Sequence, residues 1–134
     1  PLFEGALLEN AERMPTVRIE NSAFIHCPHV RLSAGRAYVY NNKFALIAND
    51  LCIRDLIRFW GESGAVERMC IIGNRFGNTA QNSIRIASYR PEDSNRLHKT
   101  IIIEGNEFAQ SQEQAIVASG VTDLQVRNNT FGKA

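Results

Sequence analysis

The chain has 134 residues, a formal net charge of +1 and an apolar share of 44%. That length fits one domain, the apolar share excludes a disordered chain, and the near-neutral charge excludes a protein that grips nucleic acid by its field. No apolar run approaches the roughly 20 residues needed to cross a bilayer, so neither a membrane nor nucleic acid is expected as a partner.

The opening Pro1-Leu2-Phe3 carries no initiator Met and no leader, which fits a processed chain or a section of a longer protein. Leu2 to Met14 reads either as a short capping helix or as a degraded coil, with Phe3 as a ring and Ala6-Leu7-Leu8 as a strand. From Val17 an octet begins: apolar, any, apolar, any, two turn residues, any, Phe. Its first copy is Val17-Arg18-Ile19-Glu20-Asn21-Ser22-Ala23-Phe24, and others run Ala37 to Phe44, Met69 to Phe76, Ile101 to Phe108 and Leu124 to Phe131. The Phe-to-Phe intervals, counted from Phe3, are 21, 20, 32, 32 and 23. Repeats at such spacing point to stacked units that bury an apolar face only against their neighbours.

Each octet has a local physical reading. Alternation sends Val17, Ile19 and their counterparts to one side, and Arg18 and Glu20 to the other. The paired Asn or Gly residues that follow tolerate the left-handed backbone of a sharp corner. Asn42, Asn74, Asn106 and Asn129 stand two residues before their Phe, and stacking at about 4.8 Å makes them a hydrogen-bonded amide ladder. The Phe rings stack behind them. Second strands follow at Val30-Arg31-Leu32, Leu51-Cys52-Ile53, Ile84-Arg85-Ile86 and Ala115-Ile116-Val117. Near-2 periodicity excludes helices, and an antiparallel sandwich has no reason to repeat one octet in register.

This octet resembles the right-handed parallel β-helix repeat of pectate lyases and many carbohydrate-active enzymes. The resemblance implies an all-β chain, a right-handed parallel β-helix (β-solenoid) of about five coils, with residues 1–134 as a single domain. That fold hosts lyases, hydrolases, epimerases and adhesins, so it does not name an activity.

Two coils are longer than the rest, with insertions at about Ile57 to Arg68 and Tyr89 to Lys99. Both fall between a second strand and the next octet, so they are expected to emerge side by side as one lip. Trp60 and Tyr89 suit stacking on a sugar ring. Glu62, Glu67, Glu92 and Asp93 supply carboxylates, and Arg58, Arg90 and Arg96 supply planar donors. The alternative for these residues is a solvated loop in which acids pair with arginines.

Ile53 to Val66, containing Phe59-Trp60 and Glu62-Ser63-Gly64, is similar to a segment of the C-terminal β-helix of family 110 glycoside hydrolases. Those are inverting exo-α-galactosidases of secreted bacterial origin. The resemblance implies a secreted or periplasmic hydrolase acting on a polysaccharide or oligosaccharide through paired carboxylates. Leu56 stands where the family tends to carry a second acid beside Asp55. Asp55 and Glu62 are the candidate catalytic carboxyls, and Trp60, Arg58, Tyr89, Arg90 and Asp93 the candidate substrate-binding residues. Glu20 and Glu104 share an outward position three rungs apart, about 14 Å, too far for a hydrolytic pair.

Other chemistries have less to stand on. A lyase would need a calcium-binding acid cluster, and Asp50, Asp55 and Arg54 offer only fragments of one. His26, His29 and His98 sit in no nucleophile motif, and His26-x-x-His29, which lacks further ligands, reads as a pair of turn-forming surface residues. Cys27, Cys52 and Cys70 form no zinc-type spacing and read as free thiols. No cofactor or metal is expected. The main rival to a hydrolase is a non-catalytic carbohydrate-binding, adhesin or oligomerisation module.

The outward rows read Arg18, Tyr38, Cys70, Ile102, Gln125 and Glu20, Tyr40, Ile72, Glu104, Arg127. Tyr38, Tyr40, Cys70, Ile72 and Ile102 are therefore expected to form an exposed patch. Its cover would be missing coils or a domain of the parent chain, or a second copy meeting it through Tyr38, Tyr40, Ile72 and Ile102.

Overall fold

The computed structural model describes residues 2–4, 8–9, 14–25, 30–31, 34–45, 53–54, 66–77, 83–86, 98–109, 115–118 and 120–132. In chain order the strands are β1 (Leu2–Glu4), β2 (Leu8–Glu9), β3 (Met14–Glu20), β4 (Ala23–Ile25), β5 (Val30–Arg31), β6 (Ala34–Tyr40), β7 (Lys43–Ala45) and β8 (Ile53–Arg54). They continue with β9 (Arg68–Ile72), β10 (Arg75–Phe76), β11 (Ile84–Ile86), β12 (His98–Glu104), β13 (Glu107–Phe108), β14 (Ile116–Ala118), β15 (Val121–Arg127) and β16 (Thr130–Phe131). No helix occurs among the described residues, and hence none long and apolar enough to cross a membrane.

Every strand pairing is parallel. The long strands form a five-stranded sheet ordered β15-β12-β9-β6-β3. The short strands after each corner form a six-stranded sheet, β1-β4-β7-β10-β13-β16. A third row comprises β14-β11-β8 and the pair β2-β5. The same three-strand unit thus recurs rung upon rung, an arrangement consistent with a β-solenoid. β1 pairs Phe3 with Phe24, and β2 pairs Leu8 with Val30, so the N-terminal stretch follows the coil reading.

The corners explain why one octet gives two strands at an angle. Asn21, Asn41, Gly73, Gly105 and Asn128 all have φ between 51° and 70°. This is the left-handed region, where Gly is free and Asn costs little. The next residue turns its side chain into the stack. Asn42, Asn74 and Asn106 are 1–2% exposed, a burial that demands full hydrogen bonding. Asn74 meets that demand: its Nδ2 donates to Val39 O at 2.8 Å and to Asn106 Oδ1 at 3.0 Å, while its Oδ1 accepts from Asn42 N and Asn42 Nδ2. Asn42 and Asn106 repeat the arrangement, and Ser22 N donates to Asn42 Oδ1 at its first rung.

Behind the ladder Phe24, Phe44, Phe76, Phe108 and Phe131 stack with centroids 4.9–5.1 Å apart and planes within 8°. The rung spacing of parallel strands sets that distance, and each ring pair adds roughly 0.5–1.5 kcal/mol beyond its area burial. Val39, Met69, Ile71, Ile101 and Ile103 fill the rest of the core with the inward residues of the third row, Ile84 and Ile86. Two strands sit one or two residues from their expected places. β8 is Ile53–Arg54 and β14 is Ile116–Ala118, because Ile53 and Ile116 are the residues that pair with Ile84. In so short an apolar run, alternation alone leaves the register open by a residue.

Candidate functional site

Both insertions spring from adjacent rungs. β8 and β11, which lead into them, pair Ile53 with Ile84 and Arg54 with Arg85. β9 and β12, which follow them, pair from Arg68–Thr100 to Ile72–Glu104. The descending stems are also tied directly. Lys99 N donates to Val66 O at 2.9 Å, Thr100 N to Glu67 O at 3.3 Å, and Val66 N to His98 Nδ1 at 3.2 Å. Asp55, Arg58, Trp60, Glu62, Tyr89, Arg90 and Asp93, with Glu92, Arg96, His26 and His29, lie outside the described residues.

Of the three histidines, His98 lies among the described residues. It is fully buried, and a ring that accepts at Nδ1 carries its proton on Nε2. It closes the joint between the two stems, a role invisible in sequence because Val66 lies 32 positions away.

Glu67, at the end of the first insertion, ion-pairs with Arg36 at 3.2 Å. That hydrogen bond, and then the guanidinium charge, hold its carboxyl below the ordinary range and raise Arg36 in turn. Three further carboxylates pair likewise: Glu20 with Arg18 at 2.8 Å, Glu104 with Arg127 at 3.1 Å and Glu107 with Arg75 at 2.9 Å. Asp123 accepts from Gln125 Nε2 at 3.2 Å. These engaged groups stabilise and orient one another, which is poor preparation for proton transfer. No three His, Cys, Asp or Glu side chains converge as metal ligands among the described residues.

The outward rows pair as the alternation requires: Arg18–Tyr38–Cys70–Ile102–Gln125 and Glu20–Tyr40–Ile72–Glu104–Arg127. Their exposure differs from expectation. Cys70 is 4% and Ile102 8% exposed, while Tyr38, Tyr40 and Ile72 are half-buried. The tyrosine rings lie 5.9 Å apart, and Arg18 sits 4.7 Å above the Tyr38 ring. Burial, then the neighbouring Cys70 thiol, push the Tyr40 phenol above its usual range.

A shallow depression of about 470 Å³ lies at the corner between the two larger sheets. Asn21, Asn41, Asn42, Lys43 and Arg75 are among the residues that line it. Amides and cations of this kind recognise sugar hydroxyls and carboxylates.

Two curated relatives match most of the chain. One is alpha-1,3-galactosidase A of Akkermansia muciniphila, 26% identical over 137 residues, covering 95% of this chain and 22% of the relative. Another is alpha-1,3-galactosidase A of Bacteroides thetaiotaomicron, 30% identical over 129 residues, covering 92% of this chain and 23% of the relative. The chain therefore spans less than a quarter of the length of the curated relatives it matches. No family model matches it, and neither does any solved structure.

Proposed function

We propose that this chain is a right-handed parallel β-helix domain of a secreted or periplasmic glycoside hydrolase acting on α-galactosides. The observation that carries the reading is the similarity to two alpha-1,3-galactosidases along more than nine-tenths of the chain. The adjacent, hydrogen-bonded stems of the two insertions support a shared site above them.

In this reading the lip holds the sugar. Trp60 and Tyr89 stack on its apolar face, and Arg58, Arg90 and Asp93 take its hydroxyls. Asp55 and Glu62 divide the chemistry. One carboxylic acid protonates the leaving glycosidic oxygen as its bond to the anomeric carbon breaks. The other carboxylate takes a proton from the water that forms the new bond on the opposite face. The partly covered Tyr38, Tyr40, Ile72 and Ile102 face is where another domain of the parent protein, or a second copy, packs.

The test replaces Asp55 with Asn and Glu62 with Gln, separately, in the full natural polypeptide. Hydrolysis of an α-1,3-linked galactoside should fall by two or more orders of magnitude in each. Turnover within twofold of the unaltered protein in both variants removes these residues from the mechanism.

A second reading is a carbohydrate-binding module. It is favoured by the Arg-paired carboxylates at Glu20, Glu67, Glu104 and Glu107, and by the corner depression. Galactoside binding that survives both substitutions, and that Lys43→Glu and Arg75→Glu abolish, selects it.

A further inference from the structure

The outward face of the five-stranded sheet carries a third row, near the start of its strands. Register places Thr16, Arg36, Arg68, Thr100 and Asp123 side by side, one on each strand. Two arginines thus stand in register on neighbouring strands, where the spacing is about 4.8 Å. Lys99 is a third cation beside them: its backbone N is bonded to Val66 O. The Arg36 hydrogen bond and charge, and then Lys99, hold the Glu67 carboxyl below its usual range. Glu67 is the one carboxylate in this cluster, and it is bonded to Arg36 at 3.2 Å. Arg68 is exposed and has no carboxylate partner among the described residues. The row's own acid, Asp123, lies two rungs from Arg68, about 10 Å, and accepts from Gln125 Nε2.

We infer that Arg36, Arg68 and Lys99 form a subsite for an acidic saccharide, holding the carboxylate or sulfate ester of a sugar unit at the foot of the lip. The surplus of cations specifies an anion. A guanidinium meets such a group with two parallel N–H donors, and Arg36 and Arg68 offer this fork on adjacent rungs. The Thr16 and Thr100 hydroxyls flank the arginines in the same row and supply donors and acceptors for sugar hydroxyls. The cluster lies where both insertions end, Glu67 and Arg68 closing the first and Lys99 the second. The choice of a saccharide rests on the glycan-directed reading above, whereas the choice of an anion rests on the cluster.

A purely structural role fits these arginines poorly. Like charges placed opposite each other destabilise a sheet. Where this fold uses cross-rung charge for stability, it sets opposite signs in register, as Arg127 beside Glu104 and Arg75 beside Glu107. Lys43 and Arg75 also stand in register, but Glu107 on the next rung takes Arg75 at 2.9 Å. Arg68 has Thr100 on its next rung, which cannot neutralise it.

Titration calorimetry on the full natural polypeptide tests this, with a galacturonate trimer, a sulfated galactose disaccharide and an uncharged galactose disaccharide as probes. At least one acidic probe should bind, more weakly as salt rises, and the tighter of the two names the anion. Arg68→Gln should lower that affinity by about tenfold or more and leave the uncharged probe unaffected. Its thermal midpoint should hold or rise, because a like-charge contact is gone. Arg127→Gln, which removes the same charge elsewhere on the face, should change the affinity by less than about twofold. Absence of binding by both acidic probes, or undiminished binding in Arg68→Gln, overturns the inference. So does polyglutamate binding as tightly and with the same loss in Arg68→Gln, which assigns the cluster to an acidic protein segment. Acidic-probe binding that Arg68→Gln weakens, in a polypeptide that hydrolyses no α-galactoside, upholds the subsite and removes the hydrolase reading instead.

Discussion

The side-chain oxygen of Asn74 accepts two hydrogen bonds from one residue of the preceding rung, 2.8 Å from Asn42 N and 3.1 Å from Asn42 Nδ2. One atom therefore satisfies a main-chain donor and a side-chain donor at a corner with almost no access to water. The same two bonds link Asn74 to Asn106 and Asn106 to Asn129. The ladder locks register between rungs, because a one-residue slip would leave buried amides unpaired.

Asn74→Ala should therefore be costly. It leaves Asn42 N without its acceptor, takes one of two acceptors from Asn42 Nδ2 and removes the amide donor from Val39 O, for a loss of about 3 kcal/mol or more. Asn129→Ala, on the open rung, should cost about 1 kcal/mol. Urea unfolding midpoints of the two variants measure the losses, and an Asn74→Ala variant as stable as the unaltered protein would remove the ladder as a source of stability.

The ring stack predicts a similar contrast. Phe76 is 3% exposed between Phe44 and Phe108, so Phe76→Ala should cost about 3–5 kcal/mol. Phe131 is half-exposed at the edge, and in the isolated chain its replacement by Ala should cost under half as much. Thermal or urea denaturation of both variants checks the ratio.

At Gly105 conformation, not space, is limiting. Its φ is +64°, and nothing lies within 4 Å of an added Cβ. Gly105→Asn should be tolerated within about 1 kcal/mol, as Asn already occupies this corner at Asn21, Asn41 and Asn128. Gly105→Val should lose about 1–3 kcal/mol because a β-branched residue resists that φ. Equal stability of the two variants would contradict the conformational argument.

His98 holds the stems of both insertions through its bond from Val66 N. His98→Ala leaves that amide buried without its acceptor and should cost about 1–3 kcal/mol. His98→Asn, which can again present an acceptor, should recover part of the loss. In the full natural polypeptide, the Ala variant should also weaken galactoside binding if the lip is the site.

Glu67 offers a test by titration. Arg36 stabilises its carboxylate, so its folded value lies below the unfolded one. Its contribution to stability is accordingly present above the unfolded value and is lost as pH falls through the folded one. Both groups are well exposed, so the effect on stability is small. Side-chain NMR should find Glu67 titrating below the ordinary carboxylate range and returning toward it in Arg36→Gln. An unchanged Glu67 titration in that variant would mean the pair does not form in solution.

Much of the strand architecture is legible in the residues. The left-handed corners, amide ladder, Phe stack and two outward rows all follow from the octet. Period-2 alternation and paired Asn or Gly are local properties, and repetition then forces equivalent residues into register. The ends of β8 and β14 were less certain, since a run of two or three apolar residues does not mark its own boundary. The chemistry expected of Asp55 and Glu62 rests on loop geometry beyond the described residues, where alternation has nothing to say.

What the sequence by itself determined is the rung: which residues turn, which point inward, and which Asn and Phe stack on their equivalents. Only the tertiary structure decided which outward residues remain open to solvent, that His98 is buried beneath the joined stems, and that Glu67 pairs with Arg36 across 31 positions. The physical reason is range. A corner and an alternating strand are specified by adjacent residues, whereas exposure and pairing depend on side chains that the stack brings in from other rungs.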